Sequence, residues 1–179
     1  METPLKQIPE GKNMQAERAL PEDIETLTEL RIAYLQEDFG WLENFNIIKY
    51  SLPEYFNSHL NRDLFCYVLR DGDHIVSCAF LLVVEKPMSP AFPNGKTGIV
   101  LNVYTRPAFR QKGCARIVMK ELIADAERMS LSKIELKSTD AGYHLYQSLG
   151  FSDDVSKYHF MKWSGTDEDR CHSGDVPER

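Results

Sequence analysis

The stretch best equipped for chemistry is Val103–Arg116, which reads V-Y-T-R-P-A-F-R-Q-K-G-C-A-R. It begins at the end of an apolar, strand-like run, TGIVLNVYT at 97–105. Pro107 ends the extended ladder, because proline has no backbone N–H to donate. Arg110, Gln111, Lys112, Gly113, Cys114 and Ala115 then lead directly into a helical pattern. Gly113 removes the side chain where the turn is tightest, and Ala115 keeps the next approach small. The first N–H groups of a helix have no internal partner and lie at the positive end of its dipole. Arg110, Lys112 and Arg116 add formal charge around them. Such a corner suits a phosphate or pyrophosphate. The nucleotide P-loop, G-x-x-x-x-G-K-[ST], is absent, since Lys112 precedes Gly113 and no Ser or Thr follows. The dinucleotide pattern G-x-G-x-x-G is absent too. The competing reading is a glycine that merely starts a helix, with the cations as solvated surface.

A second stretch, residues 138–151, reads S-T-D-A-G-Y-H-L-Y-Q-S-L-G-F. It predicts a loop, a helix bearing Tyr146, and a stop at Gly150-Phe151, where Gly150 suits a left-handed cap.

Together the two stretches resemble the GNAT superfamily of acyl-CoA-dependent N-acyltransferases. The signature R/Q-x-x-G-x-G/A matches Arg110–Ala115, and a Leu-Tyr pair followed by x-x-apolar-Gly-Phe matches Leu145–Phe151. The likeness spans about 14–163, but the specific motifs lie within 97–163. It implies an α/β (α+β) fold with a mixed, twisted sheet of six or seven strands. That sheet would be splayed between two parallel central strands and flanked by helices, with acetyl-CoA wedged into the opening as co-substrate. The resemblance also implies that backbone groups of Val103, Tyr104 and Thr105 meet the pantetheine arm. Gln111, Lys112, Gly113, Cys114, Ala115 and Arg116 would cradle the pyrophosphate. Thr139 would lie near the pantetheine, and Tyr146 would protonate the leaving thiolate. Tyr146 as a plain core aromatic is the alternative.

On this reading an amine attacks the thioester directly, with backbone N–H groups near Val103 polarising the carbonyl. The base is less defined. Where histone-type members place a glutamate early in the motif strand, this chain has Ile99. Glu37, Asp38, Glu43 and Glu85 are the remaining acids considered, acting through water. The acceptor site is expected from 36–60 and the loop 86–96, where Phe39, Trp41, Phe45, Tyr50, Tyr55, Phe56 and Phe92 concentrate. Aromatics beside acids suit a small cationic amine. His74 and His144 read as surface residues. A sensor or interaction module that binds acyl-CoA without turnover is the rival. Acetylation of a macromolecule is a third reading. Many members of the superfamily pair as homodimers, but no interface is legible here.

The elements that must position these residues follow from periodicity. Residues 14–20 suit a first short strand. Pro21-Glu22-Asp23 opens a helix continued by Ile24, Leu27, Leu30, Ile32 and Leu35, and a further helix is expected near 52–61. Residues 64–69 and 74–85 form a hairpin around Asp71-Gly72-Asp73. After a proline-rich loop at 86–96 come a strand at 97–105, a helix at 114–129 and a strand at 132–137, a βαβ unit. A helix at 141–149 and a last strand at 159–163 complete the pattern.

The chain has 179 residues, 42% apolar and 27% charged, which fits one globular domain at 14–163 with loose tails at 1–13 and 164–179. Net charge is −6. The segment 165–179 contributes five acids against two arginines, a net of −3. An acidic balance disfavours nucleic-acid partners. No apolar run is long enough to span a membrane, and the first residues lack a secretion-signal core, so a cytoplasmic address is the default. Cys66, Cys78, Cys114 and Cys171 show no metal-site spacing, so no structural metal or disulfide is expected.

Overall fold

Leu64–Asp71 (β2) and His74–Glu85 (β3) are apolar at nearly every position, the signature of strands covered on both faces. They pair antiparallel from Leu64 opposite Leu82 to Asp71 opposite His74. Phe65, Tyr67 and Leu69 face one core, while Leu64, Cys66 and Val68 face another. A computed structural model describes residues 14–41, 44–159, 161 and 163. Glu17–Arg18 (β1) pairs with β2, and Lys96–Thr105 (β4) runs antiparallel to β3. Ile134–Glu135 (β5) lies parallel to β4. The order is β1-β2-β3-β4-β5, a mixed sheet.

Ile24–Phe39 (α1) and Phe45–His59 (α2) cover one face. Pro21–Asp23 forms a 3₁₀ turn leading into α1, and the Asp23 carboxylate accepts from the Leu20 N–H at 2.9 Å and from Arg70 at 2.7 Å. Cys114–Arg128 (α3) covers the other face with Cys114, Val118, Met119, Leu122 and Ala126. The apolar period along this helix also places Ile117 and Ile123 on its inner side. Both are only half-buried, and Met119 takes the central place. Asp140–Ser148 (α4) follows β5.

The sheet corrects the expected strand count. Five strands, not six or seven, occur among the described residues. The first is two residues long rather than seven, and β5 is two rather than six. The strand expected at 159–163 is not seen at His159, Met161 or Trp163, and 160 and 162 lie outside the described residues. The second helix begins at Phe45, seven residues ahead of its expected start at 52. The tails at 1–13 and 164–179, with Cys171, also lie outside the description.

One buried polar cluster holds α3 against β1 and β2. The Asp125 carboxylate accepts from the Tyr67 hydroxyl at 2.6 Å, from Arg18 at 2.6 Å and from Arg128 at 3.0 Å. Burial pushes its pKa up, but these donors outweigh burial and hold it below the ordinary value. Asp125→Ala leaves the buried Tyr67 hydroxyl without its acceptor while the partly exposed arginines turn to water, so it should cost about 2 kcal/mol in urea unfolding. A depressed carboxylate stabilises the fold fully above its unfolded pKa of about 3.9, and that support is lost as pH falls through the folded value. Stability measured from pH 6 to 2 should therefore fall less steeply below pH 4 in Asp125→Asn than in the wild type.

Candidate functional site

The β4–β5 ladder holds only two pairs, Gly98 with Ile134 and Ile99 with Glu135. Gly98 permits this contact. A Cβ there would stand 2.7 Å from Leu81 Cδ1 and 2.9 Å from Ile134 Cγ2. Beyond Ile99 the two chains part.

A bulge in β4 accompanies the parting. Pairing with β3 steps from Phe80–Leu101 to Cys78–Tyr104, three residues of β4 against two of β3. Asn102 takes φ 50° there, a conformation asparagine tolerates better than most residues. Its buried amide donates to Cys78 Sγ at 3.5 Å and accepts from Arg31 at 3.3 Å. Burial pushes the Cys78 thiol up to about 12, so the thiol stays neutral.

The opening is a cleft of about 1400 Å³. Its walls are 99–103 of β4, 136–139 after β5, Tyr143 and Tyr146 of α4, and Arg31, Tyr34 and Asp38 of α1. Ile123 of α3 also contributes. Since α1 and α3 cover opposite faces, the cleft passes through the sheet. Of the three strand residues singled out by sequence, only Val103 lines it. The Tyr104 carbonyl already accepts from Ser77 Oγ at 3.0 Å, and the Thr105 carbonyl from Arg110 Nε at 2.9 Å.

Tyr146 is half-buried on the cleft wall. The motif around it is a helix stop. Phe151 N–H donates to the Tyr146 carbonyl at 3.1 Å and Gly150 N–H to the Gln147 carbonyl at 3.0 Å. With Gly150 at φ 94°, this is a complete Schellman motif. Its accompanying apolar contact is the edge-to-face pair of Tyr146 and Phe151, centroids 6.0 Å apart. Gly142 clears space for the same ring, because a Cβ there would meet Tyr146 Cε2 at 2.8 Å. Burial and the nearby Tyr34 phenol raise the Tyr146 pKa above its ordinary value of 10.0. Thr139 is the exposed N-cap residue of α4, makes no side-chain cap bond, and faces the cleft.

The turn 110–116 lies outside the cleft lining, beyond the C-terminal end of β4. Gln111 has φ 60° and Gly113 φ 80°, and α3 starts immediately after. Cys114 is buried in the core, and burial raises its thiol pKa. Arg116 is half-buried and makes no ion pair with the described residues. Two of the expected cations are otherwise engaged. Lys112 Nζ donates to the Ala108 carbonyl at 2.9 Å. Arg110 makes a two-oxygen contact with Glu37 at 2.6 and 2.8 Å, and Tyr104 donates to the same carboxylate at 3.0 Å.

The acids separate accordingly. Glu37 is taken by Arg110, and Glu85 stands beside Lys96 at the opposite end of the β3–β4 ladder. Glu43 lies outside the described residues. Of the three that are described, only Asp38 lines the cleft. Of the expected acceptor aromatics Phe39, on α1, lines it, whereas those of α2 and the loop 86–96 do not, so its far end is built by α1. His74 and His144 are exposed. Sequence reasoning passed over Asn102, Gly98, Gly142, Arg31 and Tyr34. The first had a signal, an asparagine within a strand of β-branched residues.

Residues 25–151 match the model of the acetyltransferase (GNAT) family, and the chain belongs to that family. It is a transferase by that membership. A structure described as a predicted acetyltransferase with acetyl-CoA, from Clostridium acetobutylicum, is 27% identical. Its TM-score is 0.72, covering 83% of this chain and 96% of that one. A GCN5-related N-acetyltransferase from Ralstonia eutropha JMP134 gives the same TM-score, 0.72, at 22% identity over 83% and 99% of the two chains. A putative acetyltransferase from Agrobacterium tumefaciens C58 reaches 0.63 at 22% identity, over 83% and 99%. The last two share the fold. No curated protein matches significantly.

Gly113 is required by conformation rather than by space, since a Cβ there would meet nothing within 4 Å. Gly113→Ala should therefore lose about 1 kcal/mol in denaturant unfolding through the left-handed φ alone, and Gly113→Asn less.

Proposed function

We propose that the chain transfers an acetyl group from acetyl-CoA to a primary amine by direct attack, in a ternary complex. The observation that carries this reading is the cleft through the sheet, with the β4 bulge on one wall and Tyr146 on the other. The C. acetobutylicum structure holding acetyl-CoA supports the choice of donor.

The unpaired N–H groups that open α3, with Arg116, receive the pyrophosphate. No carboxylate neutralises that arginine among the described residues. The pantetheine arm enters between 99–103 and 136–139 and meets the backbone at Val103. Thr139 offers a hydroxyl beside it. Backbone N–H groups near Val103 polarise the thioester carbonyl. The amine nitrogen forms a bond to the carbonyl carbon, and the carbon–sulfur bond then breaks. The departing thiolate takes the Tyr146 phenolic proton. An ordinary thiol has a pKa of about 8.5 and tyrosine about 10. Burial raises the phenol further, which keeps Tyr146 protonated through neutral pH. The attacking nitrogen sheds its proton to Asp38 through water, and the products are the acetamide and free coenzyme A.

Calorimetric titration with acetyl-CoA, followed by thiol release across an amine panel, tests the reading. Tyr146→Phe should bind acetyl-CoA within about twofold of the wild type and lose on the order of 10²-fold in kcat. Full turnover in that variant removes the acid role. Binding with no thiol release from any amine identifies a non-catalytic acyl-CoA module instead. Because the phenol pKa is raised, the alkaline fall in wild-type kcat attributable to Tyr146 should begin only above about pH 10. Tyr146→Phe should lack that limb.

A further inference from the structure

Most arginines in the described chain have a carboxylate. Arg18 and Arg128 meet Asp125, Arg70 meets Glu17 and Asp23, Arg106 meets Glu29, and Arg110 meets Glu37. Arg62 has none but is exposed. Two are half-buried with no carboxylate at ion-pair distance among the described residues, Arg116 and Arg31, the latter feeling Asp38 only from farther off. Arg116 stands at the turn assigned above to the pyrophosphate. Arg31 stands at the other end of the same site, on the cleft wall formed by α1.

The surroundings of Arg31 fit an anion that arrives with a ligand. Its one hydrogen bond in the structure goes to a neutral group, Asn102 Oδ1, at 3.3 Å, leaving most of its five donors for another acceptor. Its guanidinium lies over the Tyr34 ring, 5.5 Å from the centroid, which restrains the plane. Burial lowers its pKa, a sign of lost hydration that the Tyr34 phenol and the more distant Asp38 only partly offset, yet arginine stays charged at any physiological pH. Leaving a desolvated cation unpaired is costly, and a planar fork is the side chain best matched to carboxylate or phosphate. Asn102 also forms the bulge beside Val103, so an anion on Arg31 lies near the reacting centre. Arg31, Tyr34 and Asp38 are spaced i, i+3, i+7 on α1, one face of the helix. Asp38 thus offers a negative group for the ammonium end of the same ligand.

We infer that Arg31 selects the acceptor: the amine substrate carries its own anionic group, a carboxylate or phosphate a short distance from the nitrogen, which the Arg31 guanidinium holds. This rests on the acetyl-transfer reading above but is tested apart from turnover. Three pairs serve as probes: glycine and glycinamide, β-alanine and β-alaninamide, and O-phosphoethanolamine and ethanolamine. Each is titrated by calorimetry onto the coenzyme A-loaded protein, and thiol release from acetyl-CoA is recorded separately.

The anionic member of at least one pair should bind about 10-fold or more tightly than its neutral partner, as a charged hydrogen-bonded pair gives. Arg31→Gln should erase that preference, and Arg31→Lys should retain part of it. Both variants should keep coenzyme A affinity within about twofold, which also reports that they are folded. The carboxylate and phosphate pairs tell which anion is read. No discrimination within any pair, or a preference that survives Arg31→Gln, overturns the inference. An Arg31-dependent preference without thiol release leaves the anion site standing and removes the transferase reading. Thiol release without the preference does the reverse.

Discussion

A parallel pair of strands that stays together for only two residues is the constraint on which the molecule turns. Buried backbone N–H and C=O groups must find partners. Where β4 and β5 separate after Ile99 and Glu135, the ladder between them ends while both chains continue. Gly98 brings them into close contact on one side of that point, and the bulge at Asn102 redirects β4 on the other. The resulting gap runs through the sheet, so two helices on opposite faces contribute to one cavity. An extended ligand with amide groups is the natural complement of such an edge.

The charged side chains then fix the walls of that gap relative to one another. Asp125 gathers Arg18, Arg128 and the Tyr67 hydroxyl, which locks α3 to the first two strands. Glu37 gathers Arg110 and the Tyr104 hydroxyl, which ties the end of α1 to the turn before α3. Arg106 and Glu29 add a looser contact at 3.8 Å between the same regions. These pairs hold position, while Arg116 and Arg31, half-buried and without an ion pair among the described residues, keep charge to offer a ligand. Arg110 and Lys112, which the sequence places beside the same turn, make protein contacts of their own, to Glu37 and to the Ala108 carbonyl.

The motifs themselves were legible because each is a local structure. Arg110–Ala115 is a turn into a helix, and its glycine answers a left-handed φ. Leu145–Phe151 is a Schellman stop whose ring pair orients Tyr146. Both depend on bonds between residues a few positions apart, so spacing alone reveals them. The strand count was less legible. β1 and β5 are two-residue pairings decided by how far neighbouring chains run side by side, and apolar alternation at 14–20 and 132–137 overstates both.

Residue order alone determined the family, the turn into α3, the placement of Tyr146 at a helix end and the central hairpin. All of these rest on periodicity and short-range hydrogen bonds. Only the tertiary structure decided whether Glu37 or Asp38 faces the cleft and which arginines are neutralised. Glu37 and Asp38 are adjacent in the chain, yet a helix turns successive side chains about 100° apart. One therefore reaches Arg110, 73 residues away, and the other lines the cavity. Such a division depends on what packs against each face of α1, and no local pattern encodes that.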